Sequence, residues 1–270
     1  MCERGLRMAN TRVEERVVTC HDSTWPYLCA GEGPPVVWLH GLCGEPGWEP
    51  HHQRLAERYT VYAPALPGYQ GSSFPPWMVD SEDAATLVID FLNTLKLERP
   101  ILIGHSLGGW LAAEVAVFRP LHLSGLVLID PLGIALDWTQ APNVFYYDPA
   151  ALAGLFFADP VLAAARRYVP PSKEWDERFL HNREASMRLA FQPYLHSRRL
   201  KERLRFVEAP TLVVWGEQDK ILGAEHAREW QTRLPHAEVA LIQGAGHFPH
   251  VEQPDTCLPT LIEFLHTLSA

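Results

Sequence analysis

The stretch GHSLGG at residues 104–109 decides the predicted fold of this chain. It follows the apolar run at residues 100–103, which predicts a buried strand, and precedes residues 110–118, which predict a helix that ends before Pro120. On a sharp turn from a strand to a helix, a serine hydroxyl is exposed beyond the end of the strand. Glycines two residues before and two residues after the serine let the arms of the turn pass close together. Ser106 is therefore a candidate nucleophile.

Size and composition bound the class of protein. With 270 residues, 47% of them hydrophobic and 20% charged, the chain is typical of a soluble globular protein. A net charge of −9 argues against a nucleic-acid surface and against a polybasic membrane anchor. No apolar run reaches the roughly 18 residues of a membrane span, and the N-terminus lacks the apolar core of a secretory signal. We expect a cytoplasmic protein without a membrane or nucleic-acid partner, either a monomer or a homodimer.

Five cysteines are scattered along the chain without C-x-x-C spacing. This pattern suggests neither a disulfide framework nor a zinc site. We expect reduced thiols, no bound metal and no cofactor.

Apolar runs predict strands that alternate with helices over most of the chain. The first two strands are expected to pair as an antiparallel hairpin, and a helix is expected to start at Ser81 as its cap. The predicted strands cover residues 16–20, 27–30, 36–41, 60–63, 100–103, 126–130, 210–216 and 237–242, and the main predicted helices cover residues 48–58, 81–95, 110–118, 224–234 and 254–268.

The alternation stops between about residues 132 and 206, a region rich in aromatic side chains. Helical patterns around residues 160–168 and 173–196 predict a helical insertion that lies over the main domain. Most of its aromatic residues are expected to pack its own small core. Trp138, Phe191 and Tyr194 are candidates for contact with a substrate, and so is Phe248 outside the insertion.

Three chemically active residues follow predicted strands in the order Ser106, Asp219, His247. The carboxyl ends of parallel strands meet at one edge of a sheet, where α/β proteins place their sites. A serine hydroxyl needs a base to remove its proton, and the base needs an acid to orient it. The spacing and order therefore predict a Ser-His-Asp triad.

These motifs, together with His40-Gly41 and Leu66-Pro67-Gly68, resemble the α/β-hydrolase superfamily, specifically its small cap-bearing serine hydrolases. The resemblance spans nearly the whole chain outside the insertion. It implies an α/β-hydrolase fold, with a mostly parallel eight-stranded sheet, helices on both faces and a helical cap. The implied organisation is a core of residues 1–131 and 207–270 with residues 132–206 as the cap.

The resemblance also implies an activity. Ser106 would attack a carbonyl carbon, His247 would move the proton, and Asp219 would orient His247. The backbone N–H groups of Leu42 and Leu107 would form the oxyanion hole. We expect a carboxylesterase-type enzyme that cleaves an ester of an apolar small molecule.

Several neighbouring residues compete for these roles. Asp130 also follows a strand and is an alternative acid, although the adjacent Pro131 favours a turn role. We expect His40, His105 and His250 to have structural roles.

Two alternative functions remain open. C–C hydrolases of aromatic ring-cleavage pathways share the triad order and a helical cap, but typically carry tryptophan after the catalytic histidine, where this chain has Phe248. They also use a cap arginine to bind a carboxylate, and Arg183, Arg188, Arg198 and Arg199 are candidates. The second alternative is a slow-turnover ligand receptor of the same fold.

Overall fold

The computed structural model describes residues 12–44, 46–120, 122–136, 141–165 and 173–268. Eight strands of these residues form one sheet in the order β1-β2-β4-β3-β5-β6-β7-β8. The strands are β1 (Glu14–Cys20), β2 (Ser23–Ala30), β3 (Pro35–Leu39), β4 (Thr60–Pro64), β5 (Ile101–His105), β6 (Gly125–Ile129), β7 (Thr211–Gly216) and β8 (Ala237–Ile242).

Of the eight described strands, β2 alone runs opposite to the others. β1 pairs antiparallel with β2, and β2 pairs antiparallel with β4. All the other neighbouring strands are parallel, with β5 between β3 and β6. Every residue of β5, β6 and β7 is buried, because helices cover both faces of a parallel sheet. The predicted opening hairpin and the predicted mostly parallel eight-stranded sheet are confirmed.

Helices follow most of the strands along the chain. They are α1 (Pro50–Leu55), α2 (Ser81–Thr94), α3 (Leu107–Phe118), α4 (Pro149–Phe156), α5 (Pro160–Ala165), α6 (Lys173–Ala190), α7 (Leu200–Arg203), α8 (Glu225–Arg233), α9 (Pro249–Glu252) and α10 (Pro254–Thr267). Short 3₁₀ turns lie at Val144–Tyr146 and Leu204–Phe206.

Alternate residues of the central strands enter two separate cores. Leu102 of β5 belongs to the core that also contains α2, α3 and much of the chain between β6 and β7. Its neighbours Ile101 and Ile103 belong to the core on the opposite face, beneath α1 and α10. This division follows from the two-residue period of a strand. Helices on both faces hold β5 at the centre of the molecule.

The start of α2 differs from the sequence-based expectation. Asp80, and not Ser81, is the N-cap, because its carboxylate accepts hydrogen bonds from the amides of Glu82 and Asp83. Ser81 is the first helical residue and is buried. A charged carboxylate at a helix N-terminus also interacts favourably with the helix dipole, which the serine hydroxyl does not.

The described residues between β6 and β7 contain α4 to α7 and both 3₁₀ turns. One isolated bridge, between Gly133 and His196, connects the two ends of this segment. We call residues 130–210 the β6–β7 segment. Its helical content agrees with the expected break in alternation, whereas the boundaries at residues 131/132 and 206/207 stay predictions.

Candidate active site

Ser106 is the single residue between β5 and α3, and its backbone conformation is unusual. Its φ is +55° and its ψ is −116°, a combination that non-glycine residues rarely adopt. Backbone hydrogen bonds hold it there: its N–H donates to Ile129, and its carbonyl accepts from Trp110 and Leu132 at 2.9, 3.1 and 3.1 Å. These bonds tie the turn to β6 and to the first turn of α3, so the strain persists in the folded protein.

Glycines make the tight turn possible. A Cβ atom at Gly104 would lie 2.3 Å from the carbonyl oxygen of Gly108, and one at Gly108 would lie 2.0 Å from that of Leu39. Both distances are far shorter than a van der Waals contact. The atoms concerned belong to the backbone and cannot move aside. The two glycines therefore allow α3 to start directly against β3 and β5.

Ser106, His247 and Asp219 form one chain of hydrogen bonds. His247 Nε2 lies 2.9 Å from Ser106 Oγ, and His247 Nδ1 lies 2.7 Å from Asp219 Oδ2. A carboxylate oxygen accepts, so Nδ1–H donates to Asp219 and Nε2 is free to accept the serine proton. The three residues are 2%, 1% and 8% exposed. This low exposure strengthens each interaction, because little water competes for it.

Loops after β7 and β8 position the acid and the base. The second oxygen of Asp219, Oδ1, accepts from the amides of Ile221 and Leu222 at 2.7 and 3.4 Å. The backbone N–H of His247 donates to the carbonyl of Phe156 at 2.8 Å. The Phe156 ring also stacks on the imidazole, with 5.8 Å between centroids. The sequence carried no signal for Phe156, since it lies far from His247 along the chain.

Asp130 lies beside this chain of hydrogen bonds but makes no hydrogen bond to His247. Its Oδ1 accepts from the amide of Gly216 at 2.9 Å, while Asp219 occupies His247 Nδ1. Ligand atoms of Asp130, Asp219 and His247 lie within 4.8 Å of one another. The 2.7 Å between Nδ1 and Oδ2 is a hydrogen-bond distance and too short for two ligand atoms each about 2.0–2.2 Å from one zinc ion.

Three further histidines have structural contacts, as expected. His40 Nε2 accepts from the amide of Leu66 at 2.9 Å and its Nδ1–H donates to the carbonyl of Gly41 at 2.8 Å. Burial lowers the pKa of His40 to about 4, so this ring stays neutral. His105 Nε2 donates to the carbonyl of His247 at 2.7 Å, and burial lowers its pKa well below the usual value. His250 packs edge-on against Trp38.

The two predicted oxyanion donors belong to the helix after Ser106 and to the loop after β3. Leu107 is the first residue of α3, and Leu42 lies in the loop after β3. Within the described residues, neither amide N–H donates to a backbone carbonyl. N–H groups without a backbone acceptor are what an oxyanion hole needs.

Helix α6 holds the loop that carries Leu42. The Ser186 hydroxyl donates to the carbonyl of Leu42 at 2.9 Å, or to that of Asn182 at 2.7 Å. The Asn182 amide donates to the carbonyl of Cys43 at 2.8 Å, and the Tyr69 hydroxyl lies 2.7 Å from Ser186 Oγ. These residues escaped the sequence analysis, because nothing in a helical pattern shows which polar residue faces a distant loop.

A small cavity of about 40 Å³ lies between the Leu42 loop and the β6–β7 segment. Most of its wall is apolar, and its polar groups come from one side of α6. The lining residues are Leu42, Cys43, Val144, Phe145, Leu152, Phe156, Phe179, Asn182, Arg183 and Ser186. Because Phe156 also stacks on His247, the cavity adjoins the hydrogen-bonded chain at the serine.

Three of the four predicted substrate-contact residues are described, and none of the three lines this cavity. Tyr194 has its hydroxyl bonded to the backbone of residues 142 and 144, and Phe191 is 38% exposed with its ring 5.8 Å from that of Phe145. Neither lines the cavity. Phe248 is buried, stacks on Phe157 and borders a different small cavity beneath the turn. Trp138 lies outside the described residues. The wall positions are instead taken by Phe145 and Phe179.

Comparison with known proteins now decides the family. The sequence model of the alpha/beta hydrolase family matches residues 36–259. The chain belongs to the alpha/beta hydrolase family. An uncharacterized protein of Mycobacterium tuberculosis is 27% identical over 273 residues, which span 92% of this chain and 80% of that protein. The family resemblance inferred from the sequence is thereby confirmed.

Two solved structures of other proteins superpose on nearly the whole chain. A membrane phospholipase A described as a bacterial virulence factor is 26% identical, with a TM-score of 0.81 over 95% of this chain and 87% of that chain. A 2-hydroxy-6-oxo-6-phenylhexa-2,4-dienoate hydrolase from Rhodococcus is 23% identical, with a TM-score of 0.77 over 95% and 99%. The second likeness shows the fold alone.

No helix among the described residues of this alpha/beta hydrolase has the length and apolar composition needed to span a bilayer.

Proposed function

We propose that this alpha/beta hydrolase is a serine esterase that cleaves a carboxylic ester of an apolar small molecule through an acyl-enzyme. One observation carries the proposal: Asp219, His247 and Ser106 are joined by hydrogen bonds of 2.7 and 2.9 Å on a strained turn. This arrangement is the one a serine needs to act as a nucleophile at neutral pH.

In the first half-reaction, Ser106 Oγ attacks the ester carbonyl carbon while its proton passes to His247 Nε2. The carbonyl oxygen becomes an oxyanion and accepts from the amides of Leu42 and Leu107, each donor being worth about 2.7–4 kcal/mol in systems of this kind. Asp219 stabilises the imidazolium that forms. His247 then gives the proton to the alcohol oxygen as the C–O bond breaks.

The second half-reaction repeats these steps with water. Water attacks the acyl carbon of the acyl-enzyme while His247 Nε2 accepts one water proton. The collapsing tetrahedral intermediate releases a carboxylic acid, and the same proton returns to Ser106 Oγ. The two halves together consume one water and require no external cofactor.

The wall of the adjoining cavity supports an apolar substrate. Phe145, Phe156, Phe179 and Leu152 are among the residues that line it. Sites that bind apolar ligands combine such a wall with a few polar groups that orient the ligand. The 26% identity with a phospholipase A over 95% of this chain also supports an ester substrate. The β6–β7 segment, as the cap, would then select the substrate.

One observation favours a second candidate, C–C hydrolysis of an anionic ring-cleavage product. Of the four arginines considered from the sequence, Arg183 lines the cavity. Its guanidinium donates to the backbone carbonyls of Phe145 and Tyr147, which uses part of its five N–H donors. The remaining donors could bind a carboxylate. Arg188 instead packs over Phe74 and pairs with Glu184, and Arg199 pairs with Glu82.

Substitution of the proposed nucleophile and base tests the mechanism. Ser106→Ala and His247→Ala should each lower kcat for p-nitrophenyl butyrate by about 10⁴-fold or more. His236→Ala, at an exposed histidine, is the matched control and should keep full activity. Substantial activity in either site variant would refute the assignment. Fluorophosphonate labelling of Ser106 without turnover on a broad ester panel would instead support a ligand receptor.

A direct comparison of substrates separates the two enzymatic candidates. We expect kcat/KM for the ester to exceed that for the dienolate of a ring-cleavage product, and Arg183→Gln to leave the ester value nearly unchanged. If the dienolate is preferred by about a hundredfold, equivalent to ~2.7 kcal/mol in the transition state, C–C hydrolysis is the function. In that case Arg183→Gln should raise KM for the dienolate, whereas the control Arg188→Gln should not.

A further inference from the structure

Asp130 is a buried acid that the proposed mechanism does not use. It follows β6 with a φ of +42°, and its amide donates to the carbonyl of Val214 at 2.9 Å. Its side chain is fully buried, and Oδ1 accepts from the amide of Gly216. Among the described residues, Oδ2 has no hydrogen-bond partner. An isolated buried carboxylate oxygen is costly, so this position needs a physical explanation.

Asp219 and His247 are the neighbours of Asp130, with one ligand atom of each of the three residues within 4.8 Å of the others. Two ionised carboxylates are both acceptors and repel each other, so a close buried pair is stable when one of them carries a proton. Asp219 has donors on both oxygens, from Ile221 and His247. Among the described residues Asp130 Oδ2 accepts none, so Asp130 is the member with an oxygen available to carry the proton.

The surroundings of Asp130 favour the same distribution of charge. Burial raises its pKa well above the usual value, and the charge of Asp219 raises it further. The next charged group acting on it, Glu252, is also acidic, with its carboxylate bonded to the amides of Gly246 and Ala158. Cys257 lies nearby as a neutral thiol, because burial raises its pKa. None of these groups is a cation, and His247, whose ligand atom also lies within 4.8 Å, is hydrogen-bonded to Asp219 and not to Asp130.

We propose that Asp130 is a positioning residue of the site: it remains protonated and donates a hydrogen bond to the carboxylate of Asp219. This bond holds Asp219 in the orientation that faces His247 Nδ1 and withdraws part of its negative charge. Asp130 touches neither the substrate nor the reacting atoms. The effect on catalysis rests on the proposed function, whereas the proton on Asp130 does not.

Two substitutions at Asp130 show whether this residue is a neutral hydrogen-bond donor or a charged acid. Asp130→Asn keeps an N–H donor without a titrating group. We therefore expect kcat to stay within about threefold of that of the unmodified protein, and the acidic limb of the pH profile of activity not to move. Asp130→Leu removes the donor. We expect kcat to fall about ten- to hundredfold at nearly constant KM, as is typical when an orienting partner is lost, and the acidic limb to move to higher pH.

The direction of the second shift follows from charge. Without its hydrogen bond from Asp130, Asp219 carries more negative charge towards His247 and stabilises the imidazolium more strongly. Protonation of the base then persists to higher pH and reduces activity there. An ionised Asp130 predicts the opposite, because both substitutions would remove a negative charge and move the limb to lower pH.

Infrared difference spectroscopy observes the proton directly and does not depend on any substrate. The spectrum of the unmodified protein minus that of the Asp130→Asn variant should show the carbonyl band of a protonated carboxylic acid at neutral pH. This band should shift in D₂O. Asp255→Asn, at an exposed acid, is the control and should leave the spectrum and the pH profile unchanged.

The proposal would be overturned by the absence of this infrared band, by an acidic limb that moves to lower pH in both variants, or by an Asp130→Asn variant as impaired as Asp130→Leu. Loss of unfolding stability in both variants with an unmoved limb would make Asp130 merely structural, which also overturns it. Fluorophosphonate labelling of the original protein runs in parallel. Failure to label Ser106 would refute the proposed function, while the infrared band would still decide whether Asp130 holds a proton.

Discussion

At the scale of single residues, the turn around Ser106 concentrates steric constraint in a few backbone positions. A positive φ costs a serine about 1–3 kcal/mol, and the surrounding hydrogen bonds hold it. The flanking glycines let the arms of the turn approach more closely than any side chain allows. The packing of this turn therefore controls both the stability of the fold and the position of the hydroxyl.

Gly108→Ala tests this constraint. The new Cβ would lie 2.0 Å from the carbonyl oxygen of Leu39, so we expect a loss of about 3 kcal/mol in the free energy of unfolding and loss of the proposed esterase activity. Gly154→Ala in α4 is the matched control, since nothing lies within 4 Å of its added Cβ. It should gain about 0.5–1 kcal/mol. Equal stabilities of the two variants in urea unfolding would contradict this prediction.

At the scale of secondary-structure elements, α6 connects the β6–β7 segment to the core. Through Asn182 and Ser186 it holds the loop of Leu42, and through Arg183 it reaches the 3₁₀ turn that carries Phe145. One helix thus supports both the proposed oxyanion donor and the cavity wall. Displacement of α6 would disturb both at once.

Ser186→Ala should lower kcat about fivefold with little change in KM. The physical reason is the loss of one neutral hydrogen bond, worth about 1 kcal/mol, to the loop that presents the Leu42 amide. Met187→Ala, at an exposed neighbouring position of α6, is the control and should leave kcat unchanged. Steady-state kinetics on p-nitrophenyl butyrate checks both variants; a rise in KM alone would show that Ser186 affects substrate binding instead.

Phe145→Leu should shift the acyl-chain preference towards longer esters, because a smaller side chain enlarges the cavity that the ring of Phe145 lines. Phe191→Leu is the matched control, since Phe191 contacts Phe145 from outside the cavity wall. The measurement compares kcat/KM for p-nitrophenyl acetate, butyrate and octanoate. If Phe191→Leu changes the preference and Phe145→Leu does not, this cavity is not the acyl site.

At the scale of the whole molecule, burial of acids links global stability to pH. Glu114 on α3 is fully buried, with the indole N–H of Trp110 donating to Oε1 at 3.2 Å and no partner for Oε2 among the described residues. Burial raises the pKa of Glu114 from 4.5 to about 7. The folded protein therefore keeps a proton that the unfolded chain loses between these values.

The sign of this linkage is a loss of stability with rising pH. The contribution of Glu114 is full below pH 4.5 and disappears as the pH rises through 7, up to about 3 kcal/mol in total. Glu114→Gln keeps the acceptor for Trp110 without a titrating group, so urea unfolding should show a smaller decrease between about pH 5 and 7.5. Glu263→Gln, at an exposed acid of α10, should keep the original slope. An unchanged slope in Glu114→Gln would contradict the prediction.

Features that depend on neighbouring residues could be predicted from the sequence alone. Apolar runs marked the parallel strands, and the GHSLGG turn marked the junction of β5 and α3, because backbone conformation there follows from side chains a few positions apart. The family also followed from such local motifs. Parallel strands bring their carboxyl ends to one edge, so the order of Ser106, Asp219 and His247 was enough to predict them as one group.

Only the tertiary structure decided which groups meet across long stretches of chain. Asp219 and Asp130 both follow strands, yet Asp219 alone bonds His247. The cavity wall is Phe145 and Phe179, with Phe191 and Tyr194 placed elsewhere. These outcomes depend on helix orientation and on differences of a few ångströms between loops, which arise from the packing of the entire core. A one-dimensional pattern shows that a residue is apolar or charged, but packing determines what it touches.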